Sequence, residues 1–205
     1  MNNNLKTLIL RLVFLMLAFS QVVLADISYI GIGPGKTFGA VVRADGIPYF
    51  WGNNSYGQHG NGISGNASLY PDAVDKTGVL SGKKITSISG GVYHTIALDS
   101  EGRLYSWGAN DLGQLGNGST VNSSVPVEVQ LIGTGIETKT IVKVVAGYDF
   151  SLVLTSDGSV YSLGNNGNGQ LGKGSYGHSA TLVDISNSGV LSGENIIDIA
   201  AGFYH

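Results

Sequence analysis

The sequence predicts an all-β chain of β-propeller blades, about three of them plus the start of a fourth. Three observations carry this. The first is a beat of 56 residues: Trp51-Gly52 returns as Trp107-Gly108 and Leu163-Gly164, and Gly57-Gln58 returns as Gly113-Gln114 and Gly169-Gln170. Gly35, Gly91 and Gly147 keep the same step, and Gly202 follows 55 residues later. A period held over several cycles marks a repeat architecture. The second is a pair of short alternating runs around a Gly-containing turn in each cycle, which reads as a β-hairpin. The third is a further apolar segment before and after the hairpins. Four short strands per period is the content of a blade of four antiparallel strands rather than of a solenoid coil.

In chain order, residues 1–25 read as a cleaved secretory signal. Lys6 and Arg11 precede the apolar run Leu12 to Phe19, and Val23-Leu24-Ala25 leads to Asp26. Ser20 and Gln21 interrupt the stretch, which is shorter than the ~20 apolar residues a spanning helix needs. No stable membrane span is therefore expected, and an uncleaved anchor is the alternative to a secreted chain. Residues 26–47 form a first partial blade segment with a strand at Phe38 to Val42 and a turn at Ala44-Asp45-Gly46. Repeat 1 (48–103) holds the end of the strand Ile47 to Trp51, a weaker apolar segment at Ala73 to Val79, and strands at Ile85 to Ser89 and Tyr93 to Leu98. Repeat 2 (104–159) holds the rest of Arg103 to Trp107, then Val125 to Ile132, Ile141 to Val145 and Ser151 to Thr155. Repeat 3 (160–205) holds the rest of Ser159 to Leu163, Ala180 to Ile185 and Ile196 to Ala200, and stops at His205.

Local chemistry supports these elements. Asp-Gly and Glu-Gly steps supply the positive φ that tight hairpins demand. Tyr49/Trp51, Tyr105/Trp107 and Tyr161/Leu163 are i, i+2 pairs on one side of their strands, and each pair is expected to pack against the neighbouring repeat. Ser87, Lys143 and Asp198 are the polar, solvent-facing positions of the strand ahead of the hairpin. Pro48 points to an edge position for its strand.

Composition narrows the function classes. Without Lys6 and Arg11 the chain has 9 basic and 14 acidic side chains, a net of −5. No basic patch is visible, so nucleic acid is not an expected partner. Cysteine is absent, which removes disulfides, thiolate-held metals and thiol catalysis. Hydrophobic residues make up 42% of the chain, enough for a core despite 32 glycines.

Cycle two carries a longer motif. Gly90-Gly91-Val92-Tyr93-His94-Thr95-Ile96-Ala97-Leu98 is followed by an acidic-Gly turn. Then come Ser106-Trp107-Gly108 and Asn110-Asp111-Leu112-Gly113-Gln114-Leu115-Gly116. This resembles the regulator of chromosome condensation repeat, over essentially all of residues 27–205. Cycle one departs with Phe38 at the His position and His59 in place of Leu, and cycle three with Phe150 for His and Leu163 for Trp. These departures keep bulk, so the position of His94 reads as structural. The resemblance implies a seven-bladed propeller. Seven cycles at this period need about 390 residues, so the chain is expected to be a fragment; several chains sharing one ring is the alternative.

No catalytic, cofactor or metal site is expected. Gly31-Ile32-Gly33-Pro34-Gly35-Lys36-Thr37 lacks the first glycine of a phosphate loop, because Ile30 stands there. His59, His94, His178 and His205 show no metal-site spacing. Asp45, Glu101 and Asp157, one per hairpin, read as turn formers rather than paired catalytic acids. The structural repeat positions are Gly35, Gly91, Gly147, Gly202, Trp51, Gly52, Trp107, Gly108, Gly164, Gly57, Gln58, Gly113, Gln114, Gly169 and Gln170. Asn-x-Ser sequons at Asn53, Asn66, Asn117 and Asn122 are possible glycosylation sites, with Asn66 and Asn122 in the more variable loops.

The expected function is a secreted or surface-displayed protein-binding scaffold without intrinsic catalysis, its partner held by propeller-rim loops. The variable segments are 63–83, 119–140 and 175–195. The alternative implied by the resemblance is a guanine-nucleotide exchange factor, or an adaptor associated with a ubiquitin-ligase or kinase domain.

Overall fold

The computed structural model describes residues 37–205. The signal reading over 1–25 and Gly35 with its neighbours lie outside the described residues. The described residues form three antiparallel sheets. The first holds β1 (Phe38–Val42), β2 (Pro48–Gly52) and β3 (Ser68–Ala73). The second holds β4 (Ile85–Gly90), β5 (His94–Asp99), β6 (Leu104–Gly108) and β7 (Ser123–Glu128). The third holds β8 (Ile141–Ala146), β9 (Phe150–Thr155), β10 (Val160–Gly164) and β11 (Ser179–Asp184). Each is a meander, so strands adjacent in sequence are adjacent in the sheet. One short 3-10 helix spans Gly189–Leu191.

Register repeats with the sequence. Gly39 opposes Trp51, Thr95 opposes Trp107, and Ser151 opposes Leu163. Each sheet also breaks register between its last two strands, beside Gly52, Gly108 and Gly164. These glycines need positive φ, +95° at Gly52 and +99° at Gly164, which β-carbon-bearing residues rarely adopt. A Cβ on Gly52 would also stand 2.5 Å from the Thr37 carbonyl. The sequence repeat and the sheet are out of phase: repeat 1 closes with two strands of the second sheet.

The core lies between sheets. Phe38 and Phe50 of the first sheet, with Val74 just after β3, cluster with Ile88, Ala97, Tyr105 and Trp107 of the second. Ile96, Leu98 and Leu104 of the second cluster with Val144, Val153, Tyr161 and Leu163 of the third. Tyr105/Trp107 and Tyr161/Leu163 therefore do pack on the preceding blade, while Tyr49 and Trp51 are half-buried and belong to neither cluster. Every residue of β5, β6 and β10 is buried, because central strands are covered on both faces. Burying a side chain of this size is worth about 1.5–3 kcal/mol. The innermost strands meet, β4 against β8 and β1 against β4, which places the blades around a common axis.

Three expectations about elements need correction. Ile196 to Ala200 is not a strand. Its counterparts β4 and β8 are held by the hairpin strands β5 and β9, and among the described residues no strand pairs with it. The outer strand of the first sheet is Ser68–Ala73, not Ala73 to Val79. Its side chains are mostly exposed, so its sequence carries no apolar signal, and the chain turns away at Asp75, whose Oδ1 accepts from Thr77 N at 2.8 Å. The other outer strands likewise begin earlier than Val125 and Ala180. Pro48 is not on an edge strand. It opens β2, the middle strand, a position where a missing N–H is tolerated, and its carbonyl accepts from Val74 N at 3.1 Å.

Candidate functional site

Alternating strand direction brings the β4–β5 turn and the β6–β7 loop out at the same end of a blade. That end carries the long loops 53–67, 109–122 and 165–178 and the short turns 91–93 and 147–149. The long loops are wired alike. Asn54, Asn110 and Asn166 each accept, through Oδ1, from the backbone N–H five residues on: His59, Leu115 and Leu171, at 3.0, 2.9 and 2.9 Å. Their Nδ2 groups donate to Ile63 O, Ser119 O and Ser175 O. Gln58, Gln114 and Gln170 accept through Oε1 from the N–H two residues back, at 3.0, 2.9 and 2.9 Å. Buried backbone polar groups need such partners. The repeating Gln is thus a loop closer. The three asparagines, absent from the expected site residues, do as much; their own 56-residue step was the available signal.

The loops also bolt blade to blade. Gln58 O accepts from Trp107 Nε1 at 2.8 Å and from Thr95 Oγ1 at 2.9 Å. A Cβ on Gly60 would come within 2.8 Å of the Trp107 ring, and one on Gly116 within 2.8 Å of Leu163. His94 Nε2 and Ser151 Oγ are 2.9 Å apart and buried, and Ala146 N donates to Ser89 Oγ at 3.0 Å. Gly62 N reaches Ser124 O, and Gly118 N reaches Ala180 O, each at 2.9 Å. His94 is therefore an inter-blade tie. Gly91 N donates to His94 O and Gly147 N to Phe150 O, closing the inner turns, and Gly202 N does the same to His205 O.

His59 differs. It occupies the place of the fully buried Leu115 and Leu171. It stacks on Phe50 at 5.9 Å, and neither ring nitrogen has a hydrogen-bond partner. Burial pushes its pKa down.

The exposed features of this end are apolar and aromatic. Ile63, Val121 and Tyr176 are 54%, 72% and 80% exposed, one on each long loop. Tyr56, Tyr93, Tyr148 and Phe203 run ring to ring from blade to blade, with centroids 4.7, 5.8 and 4.3 Å apart. Beside them Asp149 is pushed up to about 6 by burial and by the charge of Asp111. Burial and contact with Tyr93 push Tyr148 up to about 12. This aromatic line escaped the sequence reading because the ring moves by one residue between cycles: Tyr93 stands two residues after Gly91, and Tyr148 one after Gly147.

The sequons all fall on these loops. Asn66 is exposed, whereas Asn53 Oδ1 accepts from Gln58 Nε2 at 2.8 Å and Asn122 Oδ1 from Asn110 N at 2.6 Å. Asn117 Oδ1 accepts from Ser119 N at 3.1 Å.

At the opposite end the hairpin acids are turn or ion-pair residues. Asp45 and Asp157 accept from Ile47 N and Ser159 N. Glu101 instead pairs with Lys83 at 2.8 Å, and Asp99 holds that turn by accepting from Glu101 N and Arg103 N. A groove of 590 Å³ lies there between Leu98, Asp99, Leu131, Ile136, Lys139 and Ile141. Among the described residues, no group of three His, Asp or Glu side chains is placed to hold a metal ion.

Radially packed four-stranded meanders, locked by loop asparagines and glutamines, define a β-propeller repeat protein. The chain belongs to the family of regulator of chromosome condensation (RCC1) repeats, whose family model matches residues 45–98, 101–154 and 157–205. A second model of the same repeat matches 85–114 and 141–170. Human E3 ubiquitin-protein ligase HERC2 is 34% identical over 176 residues, which cover 85% of this chain and 3% of that protein. The ultraviolet-B receptor UVR8 of Arabidopsis thaliana is 37% identical over 133 residues, 65% of this chain and 28% of the receptor. Among solved structures, Prp20p of Saccharomyces cerevisiae superposes with a TM-score of 0.73 at 22% identity, over 86% of this chain and 42% of its own. Human WBSCR16 gives 0.69 at 24%, over 82% and 40%. The chain thus spans less than half the length of each of these.

Proposed function

We propose that this chain is a secreted or surface-displayed protein-binding propeller without catalysis of its own. The observation that carries the reading is the loop end: a scaffold bolted between blades, presenting exposed apolar residues on every long loop. Rigid support under variable loops is a common arrangement for recognition. One similar protein is a protein binder: yeast Prp20p has binding properties toward Gsp1p and histones, and the same protein, yeast RCC1 (Prp20), was captured with Kap60. The N-terminal residues Lys6 to Ala25 direct the chain to the secretory pathway in this proposal.

The test has two parts. Sequencing the N-terminus of protein recovered from the medium or cell surface should find a start at or near Asp26; retention in the cytoplasm overturns secretion. Immobilised protein should take up a partner saturably, and a partner whose retention never saturates overturns the binding role.

A second reading is favoured by the identity to HERC2, a protein named as an E3 ubiquitin-protein ligase. Here the blades are the adaptor part of a ligase-associated protein. Ubiquitin conjugates co-purifying with the native protein support it over the first.

A further inference from the structure

Charge is divided unevenly between the two ends. Arg43, Lys76, Lys83, Lys84, Arg103 and Lys139 all lie in turns and loops of the end opposite the aromatic line. There they meet acids: Arg43 with Asp45, Lys83 with Glu101, and Lys139 with Asp157. Lys143 in β8 pairs with Asp198. Among the described residues, Lys173 is the one cation on a loop of the aromatic end. Among the described residues that end has two acidic side chains, Asp111 and Asp149, and neither makes an ion pair or side-chain hydrogen bond there. Asp149 sits half-buried in the turn that also carries Tyr148.

The rings beside them form an arc. It starts at Tyr56 on the first blade, passes Tyr93 and Tyr148 on the inner turns of the next two, and ends at Phe203 and Tyr204. Tyr56 and Tyr204 are 39% and 47% exposed. Half-buried and exposed rings held by neighbouring rings offer π faces and edges at little ordering cost. A cation over a tyrosine face is attracted by the ring quadrupole, and an unpaired carboxylate nearby adds a charge-assisted hydrogen bond. Lysine and arginine side chains satisfy both. An acidic segment meets repulsion from Asp111 and Asp149, and a purely apolar one leaves both carboxylates unpaired as they lose water.

We propose that the Tyr56–Tyr93–Tyr148–Phe203 arc, with Asp111 and Asp149, is a binding site for a lysine- or arginine-bearing peptide segment of a partner protein. This rests on the protein-binding reading and names the chemistry of the segment bound.

The test uses the full chain and a fluorescent hexapeptide alternating lysine or arginine with glycine, next to its glutamate counterpart, read by anisotropy. The basic peptide should bind saturably, the acidic one should not, and affinity should fall as salt rises. Losing a charged hydrogen-bond partner costs about ten-fold in affinity, so the double variant Asp111→Asn, Asp149→Asn should weaken binding by at least that much. Tyr56→Leu, which keeps bulk and removes the π face, should weaken it about two- to five-fold. Glu137→Gln, at the opposite end, should leave it unchanged. Equal binding of the acidic peptide, or full affinity in the double variant with an unchanged circular-dichroism spectrum, overturns the site. If the double variant still takes up a protein partner saturably, this site is wrong while the scaffold reading stands.

Discussion

Replacing His59 by leucine should make the protein more stable. The repeat itself supplies the reason, since the equivalent positions are Leu115 and Leu171, both fully buried. His59 is equally buried, lies 6.3 Å from Phe38 and 5.9 Å from Phe50 between ring centroids, and leaves both ring nitrogens without partners. A buried polar group without a hydrogen bond costs about 1–3 kcal/mol. Leucine removes that cost and keeps the bulk, so His59→Leu should gain about 2 kcal/mol. Leu115→His should lose a similar amount. The assay is urea unfolding followed by tryptophan fluorescence, because Trp107 stands 5.8 Å from Phe50 across this contact.

The pH dependence adds a second readout. Burial lowers the pKa of His59 from its ordinary 6.5. The unfolded chain then takes up the proton first as pH falls, so the native state loses stability below pH 6.5, down to the lowered native value. His59→Leu should abolish that share of acid sensitivity. An unchanged or lower urea midpoint for His59→Leu, with the acid limb intact, would refute the reasoning.

Further outcomes are expected. Trp107→Ala should cost about 3–5 kcal/mol in urea unfolding, because the indole is fully buried and donates to Gln58 O; Trp107→Phe should cost less and isolate the hydrogen bond. Asp149→Asn should raise stability at pH 7. Its carboxyl is lifted from 3.8 to about 6, so its contribution is fully present below pH 3.8 and lost as pH rises through about 6. The corresponding ~3 kcal/mol falls to about 1–1.5 kcal/mol with partial exposure and solvent screening. The gain should vanish when unfolding is measured near pH 3.8. Gly108→Ala should cost more than about 1 kcal/mol, since φ is +106° and the new methyl would meet the Tyr93 carbonyl; thermal melts read this directly. Secreted from a eukaryotic host, the protein should show a glycosidase-sensitive mass that Asn66→Gln reduces.

The blades were legible because their causes are periodic. Trp107, Gly108 and Gln114 hold the same register places in their cycle as Trp51 or Leu163, Gly52 or Gly164, and Gln58 or Gln170, so a 56-residue step exposes them. β3 was misplaced because an outer strand buries one flank only; Leu69 and Tyr70 face solvent and break the apolar pattern. Ile196 to Ala200 has strand composition, but a strand needs a ladder partner, which composition does not supply. The aromatic arc was invisible for a different reason. Its rings meet across blades, and Tyr56, Tyr93 and Tyr148 occupy three different places in the motif. The exposed loop residues are legible as variable segments, but which end of the blade they share depends on strand direction.

The most direct measurement of the central claim, that one end of the propeller is the binding surface, is photo-crosslinking from single positions on both ends. Ile63, Val121 and Tyr176 report on the aromatic end, and the exposed Ile132 and Val190 on the other. With a partner bound saturably, crosslinks should concentrate at the first three positions and weaken in the Asp111→Asn, Asp149→Asn variant. Crosslinks confined to Ile132 and Val190 would contradict the account.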